Sequence, residues 1–211
     1  MDNRPVNQLV KRRKRRRKKD HLKRNLIALA LATVFLVIAI IVSRPVQKMY
    51  MNAAYPKEYA EFVEKYAAVN DLPESLVYAV IYCESGFKPD AVSNVGARGL
   101  MQIMEDTFEW IQFRMGEEDS GVTYEDMFDP ETNIRYGTYL LRDHLDEFTL
   151  AHTALCAYHA GRSRVNQWLD NSLYSSDGTA LDEVPFTDTR NYARKVLNIQ
   201  EIYESLYYSK Q

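Results

Sequence analysis

The sequence predicts an all-α chain: one membrane-crossing helix followed by one helical domain. Three observations carry this expectation. Apolar residues recur at helical spacing through most of the segments after residue 56. No stretch alternates apolar and polar residues over strand length, and no internal repeat is present. A single uninterrupted apolar run, residues 26–42, stands near the start. A length of 211 residues suits one domain of ordinary size plus appendages.

The net charge of −2 conceals two unlike parts. Through Arg44 there are 13 basic and 2 acidic residues, a net of +11; the remainder holds 14 basic and 27 acidic, a net of −13. Residues 11–19 form an unbroken basic run. By itself such a run fits a nucleic-acid arm. Its neighbour points elsewhere, because from Leu26 to Val42 every residue is apolar or small except Thr33, and no charge stands between Arg24 and Arg44. That length spans a hydrocarbon core of roughly 30 Å as a helix. A cleaved signal peptide is the competing reading, but its apolar region is shorter, at about 7–15 residues, and ends in a small-x-small site. Here Ile41 and Val42 precede Ser43. The expected organisation is a basic cytoplasmic tail (1–24), an uncleaved signal anchor (25–43), a short tether (44–55) and an extracytoplasmic domain (56–211) in the cell membrane. The tail can also hold anionic headgroups, each charge contributing on the order of 1 kcal/mol. The acidic domain argues against a nucleic-acid partner.

Within the domain the elements follow in order. Pro56 suits a first helical position, and Tyr59, Phe62, Val63 and Tyr66 make an apolar stripe, so residues 57–69 read as an amphipathic helix ended by Asn70-Asp71. Pro73 opens the next helix, on which Leu76, Val77, Val80 and Ile81 share a face. Asp106 or Thr107 is expected to cap a helix running through Phe113 to Gly116. Residues 117–130 read as loop with a helical turn. Asn133 begins a helix with Ile134, Gly137, Leu140, Leu141, Leu145 and Phe148 on one side, where Gly137 suits a close helix crossing. Further helices are expected over residues 149–160, from a cap at Ser163 through Trp168, and from a cap at Thr187 or Asp188 through Leu206. Residues 171–184 read as a variable loop.

The chemistry gathers at Glu84, at the end of the second of these helices. It lies three residues past Ile81 and seven past Val77, on the core side, and Gly86 and Pro89 stop the helix beyond it. Burial and the negative end of the helix dipole both disfavour its anion, so this carboxyl can hold a proton near neutral pH and serve as a general acid. The following loop carries Gly86, Gly96 and Gly99, then the apolar-polar-apolar run Leu100-Met101-Gln102-Ile103-Met104.

The stretch from Glu84 to Met104 resembles the signature of the soluble-lytic-transglycosylase (SLT) family, E-S-x-F-x-P-x-A-x-S-x-x-G-A-x-G-L-M-Q-ϕ-M, at nearly every fixed position. Three later segments resemble other motifs of that family. Asn133 to Leu141 is similar to N-I-x-x-G-x-x-Y-L, with Leu140 in place of the tyrosine. Ala157 to Gly161 is similar to A-Y-N-A-G, with His159 in place of the asparagine. Asp188 to Tyr192 is similar to E-T-x-x-Y, with Asp for Glu. The resemblance covers about residues 56–208 and implies a lysozyme-like α-helical fold that cleaves peptidoglycan glycan strands. It implies that Glu84 is the catalytic acid and that Ser93, Gln102, Met104, Tyr158, His159, Asp188 and Tyr192 contact substrate. It implies no cofactor and names no protein partner. For Met104 the plainer reading is core packing.

A hydrolysing glycosidase usually needs two carboxylates, and the sequence offers one well-placed acid. The resemblance implies a route that needs only one, in which the muramic C6 hydroxyl attacks C1 and a 1,6-anhydro end forms without water. A goose-type muramidase and an idle glycan-binding scaffold are the alternatives. Cys83 and Cys156 read either as a disulfide or as small buried hydrophobes. The sequence has no His/Cys cluster with metal-ligand spacing.

Overall fold

The computed structural model describes residues 6–209, so the first five residues of the basic tail lie outside it. The chain divides into two units, residues 1–54 and 55–211. The first is a single helix, α1 (Val6–Ala54). Its apolar run makes it long and apolar enough to cross a membrane. At 1.5 Å per residue its 49 residues extend over roughly 70 Å, well beyond one bilayer core. The tether expected over residues 44–55 is therefore helical through Ala54. Pro45 lies inside α1, where it removes one intrahelical hydrogen bond without ending the helix. The residues after it, Val46 to Ala54, include no glycine and several good helix formers.

The second unit is all-helical apart from isolated bridges at Val92, Arg98 and Ile103. Its elements are α2 (Ala60–Val69), α3 (Glu74–Glu84), α4 (Glu105–Met115), a 3-10 turn (Tyr124–Phe128), α5 (Pro130–Glu147), α6 (Ala151–Ala160), α7 (Arg162–Leu169), α8 (Thr187–Tyr203) and a closing π-helical turn (Glu204–Tyr208). Several boundaries differ from the sequence reading for local reasons. Pro56 precedes α2 rather than opening it, and Tyr59 takes a left-handed conformation at the N-cap. Helix α5 begins three residues before Asn133, because Asp129 accepts a capping bond from the Thr132 N–H and Pro130 fits the first turn. Helices α4, α7 and α8 start without a side-chain cap. The residues proposed for those caps, Asp106 or Thr107, Ser163, and Thr187 or Asp188, lie inside the first turns.

Two helices are buried nearly all round. In α3, Leu76 to Ile81 are all 3 % exposed or less, and in α6, Ala154 to Ala157 are all 1 % or less. Both pack against α8, while α5 packs against α2 and α6. The ends of α3 and α6 therefore converge beside one face of α8, which is what places the site. The domain's beginning and end are also joined. Tyr203 donates a hydrogen bond to the Pro56 carbonyl (2.9 Å) and Tyr207 to that of Tyr55 (2.7 Å). Tyr55 stacks on Tyr82 with centroids 5.2 Å apart. The Lys57 ammonium sits 5.0–5.8 Å from the rings of Tyr78, Tyr207 and Tyr208.

Candidate active site

Glu84 is the last residue of α3. Two N–H groups, of Ser85 and Gly86, close on the Ile81 carbonyl, and Gly86 takes φ +58° to turn the chain away. The carboxyl is mostly buried, and burial pushes its pKa up to about 7. Two groups oppose the shift. The Tyr192 hydroxyl donates to Oε1 at 2.5 Å, and the Lys195 ammonium acts on it as a charge. A carboxyl with this balance is partly protonated at neutral pH and is held in one orientation by a phenol.

Residues 85–104 form a loop pinned at several points. The Ser85 hydroxyl donates to the Leu100 carbonyl at 2.8 Å. Arg98 and Ile103 exchange backbone hydrogen bonds of 2.9 and 3.0 Å, and the Gly99 N–H reaches the Ala91 carbonyl at 2.9 Å. Asn133, fully buried on α5, accepts from the Met101 N–H at 2.7 Å and donates to the carbonyls of Arg98 (3.0 Å) and Met127 (2.8 Å). The Tyr124 hydroxyl lies within hydrogen-bond distance of the Gly96 (2.7 Å) and Ile103 (2.9 Å) carbonyls, its one proton serving one at a time. Arg98 stacks on Tyr124 and pairs with Glu125. Gly99 has φ +77°, and a Cβ there would stand 2.1 Å from the Met127 carbonyl oxygen. A Cβ on Gly137 would stand 2.4 Å from the Met101 sulfur. The close approach expected at Gly137 is thus made by this loop rather than by another helix.

The residues singled out from the sequence fall into two groups. Tyr158 and Tyr192 adjoin Glu84, and burial together with the Glu84 charge holds both phenols protonated. Tyr158 also donates to the Met101 carbonyl at 2.8 Å. The His159 ring lies over Tyr192 with centroids 4.5 Å apart, and its Nδ1 is 3.2 Å from the Thr189 hydroxyl. The second group organises or borders the loop. The Ser93 oxygen accepts from the N–H groups of Val95 (3.3 Å) and Ala97 (3.0 Å), leaving its proton free to donate. Gln102, at φ +51°, spends its amide hydrogens on the carbonyls of Ala91 (3.2 Å) and Gly99 (2.9 Å), leaving its side-chain oxygen open. Met104 is 38 % exposed, which sets aside core packing for it. Asp188 is exposed on the first turn of α8, close enough for its charge to act on His159.

Cys83 and Cys156 are unpaired thiols, and burial pushes them up to about 11 and about 12. Neither is a nucleophile near neutral pH. No group of three or more metal-ligating side chains exists among the described residues. Sequence reasoning missed Asn133, Tyr124 and Lys195. Asn133 opens the N-I-x-x-G segment, so its position in that motif was the available signal; Tyr124 and Lys195 carried none.

Two expected results follow from this geometry. Tyr192→Phe removes the donor that favours the Glu84 anion, so the carboxyl pKa rises further and the alkaline limb of any Glu84-dependent activity moves to higher pH. A pH–rate profile of the variant reads this directly. His159 is held below the ordinary histidine range, chiefly by burial, with Asp188 partly opposing the shift. It is neutral at pH 7 and becomes a cation beside Tyr192 only in acid. His159→Asn is expected to retain more activity than the parent on the acid side, and superimposable acid limbs would refute a role for its charge.

Comparison with known proteins matches residues 61–178 to the family described as Transglycosylase SLT domain. The soluble lytic murein transglycosylase of Escherichia coli K12 is 33 % identical over 156 residues, covering 73 % of this chain and 24 % of that protein. Membrane-bound lytic murein transglycosylase C of Photorhabdus laumondii is 27 % identical over 169 residues, covering 69 % and 46 %. Among solved structures, the 70 kDa soluble lytic transglycosylase of Escherichia coli superposes with a TM-score of 0.66 at 30 % identity, over 76 % of this chain and 26 % of that one. The chain thus spans about a quarter of the length of the soluble relatives it matches.

Proposed function

The chain belongs to the transglycosylase SLT domain family, and from that premise we propose that it is a membrane-anchored lytic transglycosylase acting on peptidoglycan glycan strands. The observation that carries the reading is the state of Glu84: a single mostly buried carboxyl near pKa 7, acted on by Tyr192 and Lys195 and by no other carboxylate. One such acid serves both halves of an intramolecular displacement. Its proton goes to the oxygen linking N-acetylmuramic acid to N-acetylglucosamine, and that bond breaks with positive charge spread over C1 and the ring oxygen. The resulting Glu84 carboxylate, steadied by the Tyr192 hydroxyl, then takes the proton of the muramic C6 hydroxyl as its oxygen bonds to C1. The attacking group is already attached to the sugar, so no water has to be positioned. The protonated Tyr158 beside Glu84 presents a polar, uncharged wall to the developing cation. Ser93, Gln102 and Met104 offer one donor, one acceptor and one exposed thioether along the same loop. His159 and Asp188 border the α8 side.

The relatives' names support the substrate, since the two matched enzymes are described as acting on murein, and a related transglycosylase has been solved with bulgecin A. Helix α1 supports the anchor. The basic run before its apolar stretch favours a cytoplasmic N-terminus and a domain on the opposite side of the cell membrane. A reporter fused at the C-terminus should be active only outside the cytoplasm.

The deciding experiment digests purified peptidoglycan with the full-length chain in detergent and weighs the products. Anhydro-ended fragments, one water lighter than hydrolysis products, are expected. Products of full hydrolytic mass would instead identify a muramidase, cleavage unchanged by Glu84→Gln would remove Glu84 as the catalytic acid, and glycan binding without cleavage by the parent chain would leave a glycan-binding scaffold.

A further inference from the structure

The two flanks of the apolar run in α1 are built differently. On the N-terminal side the basic run of residues 11–19 covers about two and a half helical turns, so cations point to every side. On the C-terminal side the charge is confined to one face. Val46, Met49, Tyr50 and Ala53 follow the spacing i, i+3, i+4, i+7 and form one stripe along α1. Arg44, Lys48 and Asn52 lie on the opposite face. The stripe is open, with Val46 55 %, Met49 69 % and Tyr50 71 % exposed and Ala53 exposed beside them.

Three observations say what covers it. First, the stripe continues the apolar run, since only Ser43, Arg44 and Pro45 stand between Val42 and Val46. The Ser43 hydroxyl already donates to the Ile40 carbonyl at 3.0 Å, so it makes no demand on water. Second, the residue types suit the boundary of a bilayer. Tyr50 has an apolar ring with a polar tip, which favours headgroup level. Arg44 and Lys48 on the far face answer anionic headgroups. Third, Pro45 stands between span and stripe. It has no N–H for the Ile41 carbonyl, and its ring crowds that carbonyl, which makes this the point where α1 can bend. A coiled-coil seam needs at least about three heptads, more than this stripe supplies.

The stripe also leads straight into the catalytic domain. Helix α1 ends at Ala54. The next residue, Tyr55, is already fixed in the domain, with its ring on Tyr82 and its carbonyl bound by the Tyr207 hydroxyl. No glycine stands between Ser43 and Tyr55, so no free linker separates the two.

We propose that residues 46–54 form an interfacial membrane segment, in which α1 bends at Pro45 and lays Val46, Met49, Tyr50 and Ala53 into the headgroup layer. The partner is the lipid surface itself, entered to a depth of about 5–10 Å. The proposal rests on the reading of α1 as a membrane anchor given above. The catalytic domain then begins at the bilayer surface, and the reach of Glu84 is set by the domain rather than by a linker.

The test uses the full-length chain in vesicles of phosphatidylglycerol and phosphatidylethanolamine. Cys83→Ala and Cys156→Ala clear the way for one nitroxide label at a time. Val46→Cys and Tyr50→Cys report on the stripe, Lys48→Cys and Asn52→Cys on the opposite face, and Val34→Cys on the span. Collisions of each label with a water-soluble nickel chelate are measured. They are expected to be lost at positions 46 and 50 and kept at 48 and 52. Collisions at all four would stand the segment in water, and loss at all four would place it within the span. Shielding at 46 and 50 with spin–spin broadening between labelled chains would give the stripe to a second copy. Each of these three results overturns the proposal. Collisions at position 34 would instead remove the anchor reading, and this inference with it. A second measurement keeps both cysteines. Fluorescence of the tryptophan added by Tyr50→Trp should be quenched by lipids brominated near the headgroup, and that added by Asn52→Trp should not. Equal quenching of the two would also overturn the proposal.

Discussion

Replacing Glu84 with glutamine is expected to abolish glycan cleavage and, above neutral pH, to make the domain more stable. The loss of activity follows from the missing proton. An amide cannot transfer a proton to the glycosidic oxygen or take one from the C6 hydroxyl, and general acid–base catalysis is worth about 10²–10⁴-fold. The gain in stability follows from where the carboxyl is held. Its folded pKa of about 7 stands above the ordinary 4.5. The folded state therefore binds the proton more tightly than the unfolded one. Below about pH 4.5 both states are protonated and the two proteins should be equally stable. As pH rises from 4.5 through 7 the parent loses stability, because its anion is better solvated in the unfolded chain. The glutamine variant carries no such charge. By pH 8 the difference should reach about 1–3 kcal/mol in favour of the variant, discounted for partial exposure. Urea unfolding at pH 4 and pH 8, followed by tryptophan fluorescence, checks the sign. Both tryptophans, Trp110 and Trp168, lie in the domain and not in α1. An inactive variant that is no more stable at pH 8 would show that the carboxyl is not held at the cost described.

Asn133→Ala is expected to produce the largest loss of stability. The side chain is fully buried and makes three hydrogen bonds to loop backbone. Arg98 keeps a second partner for its carbonyl, the Ile103 N–H. The Met101 N–H and the Met127 carbonyl do not. Two buried polar groups left without partners cost about 2–6 kcal/mol together. Asn133→Asp should be no better: it keeps the acceptor for Met101 but sets a carboxylate against two carbonyl oxygens. The same unfolding measurement reads this loss, and a change under about 1 kcal/mol would mean that the loop is held elsewhere. Activity should fall with it, because the loop carries Gln102 and Met104.

The sequence revealed the site's acid more readily than its supports. Glu84 was legible because two periodicities met there, the helical stripe through Val77 and Ile81 and the glycine-bearing motif after it. The all-helical character was legible because apolar spacing reports a helix wherever one face is buried. Asn133 was read only as a helix start, since an asparagine near a helix N-terminus usually signals local capping. Its long-range role depends on which loop α5 happens to face. Leu140 was read as structural for the same reason: that it borders a cavity beside Tyr158 depends on which elements face it. Residues 44–55 were read as a tether, yet α1 continues through Pro45, and Gln47, Lys48 and Met49 after it are good helix formers. Met104 continues an apolar run, yet the loop geometry turns it outward.

The hydroxyls of Tyr203 and Tyr207 on the carbonyls of Pro56 and Tyr55 have a bearing on biosynthesis. A ribosome makes Tyr55 about 150 residues before these partners. Helix α3, which carries Glu84, likewise waits for α8 as its packing neighbour. The packing around α3 is therefore incomplete until α8 and the turn after it have been made, and Glu84 is not set against the Tyr192 hydroxyl before then.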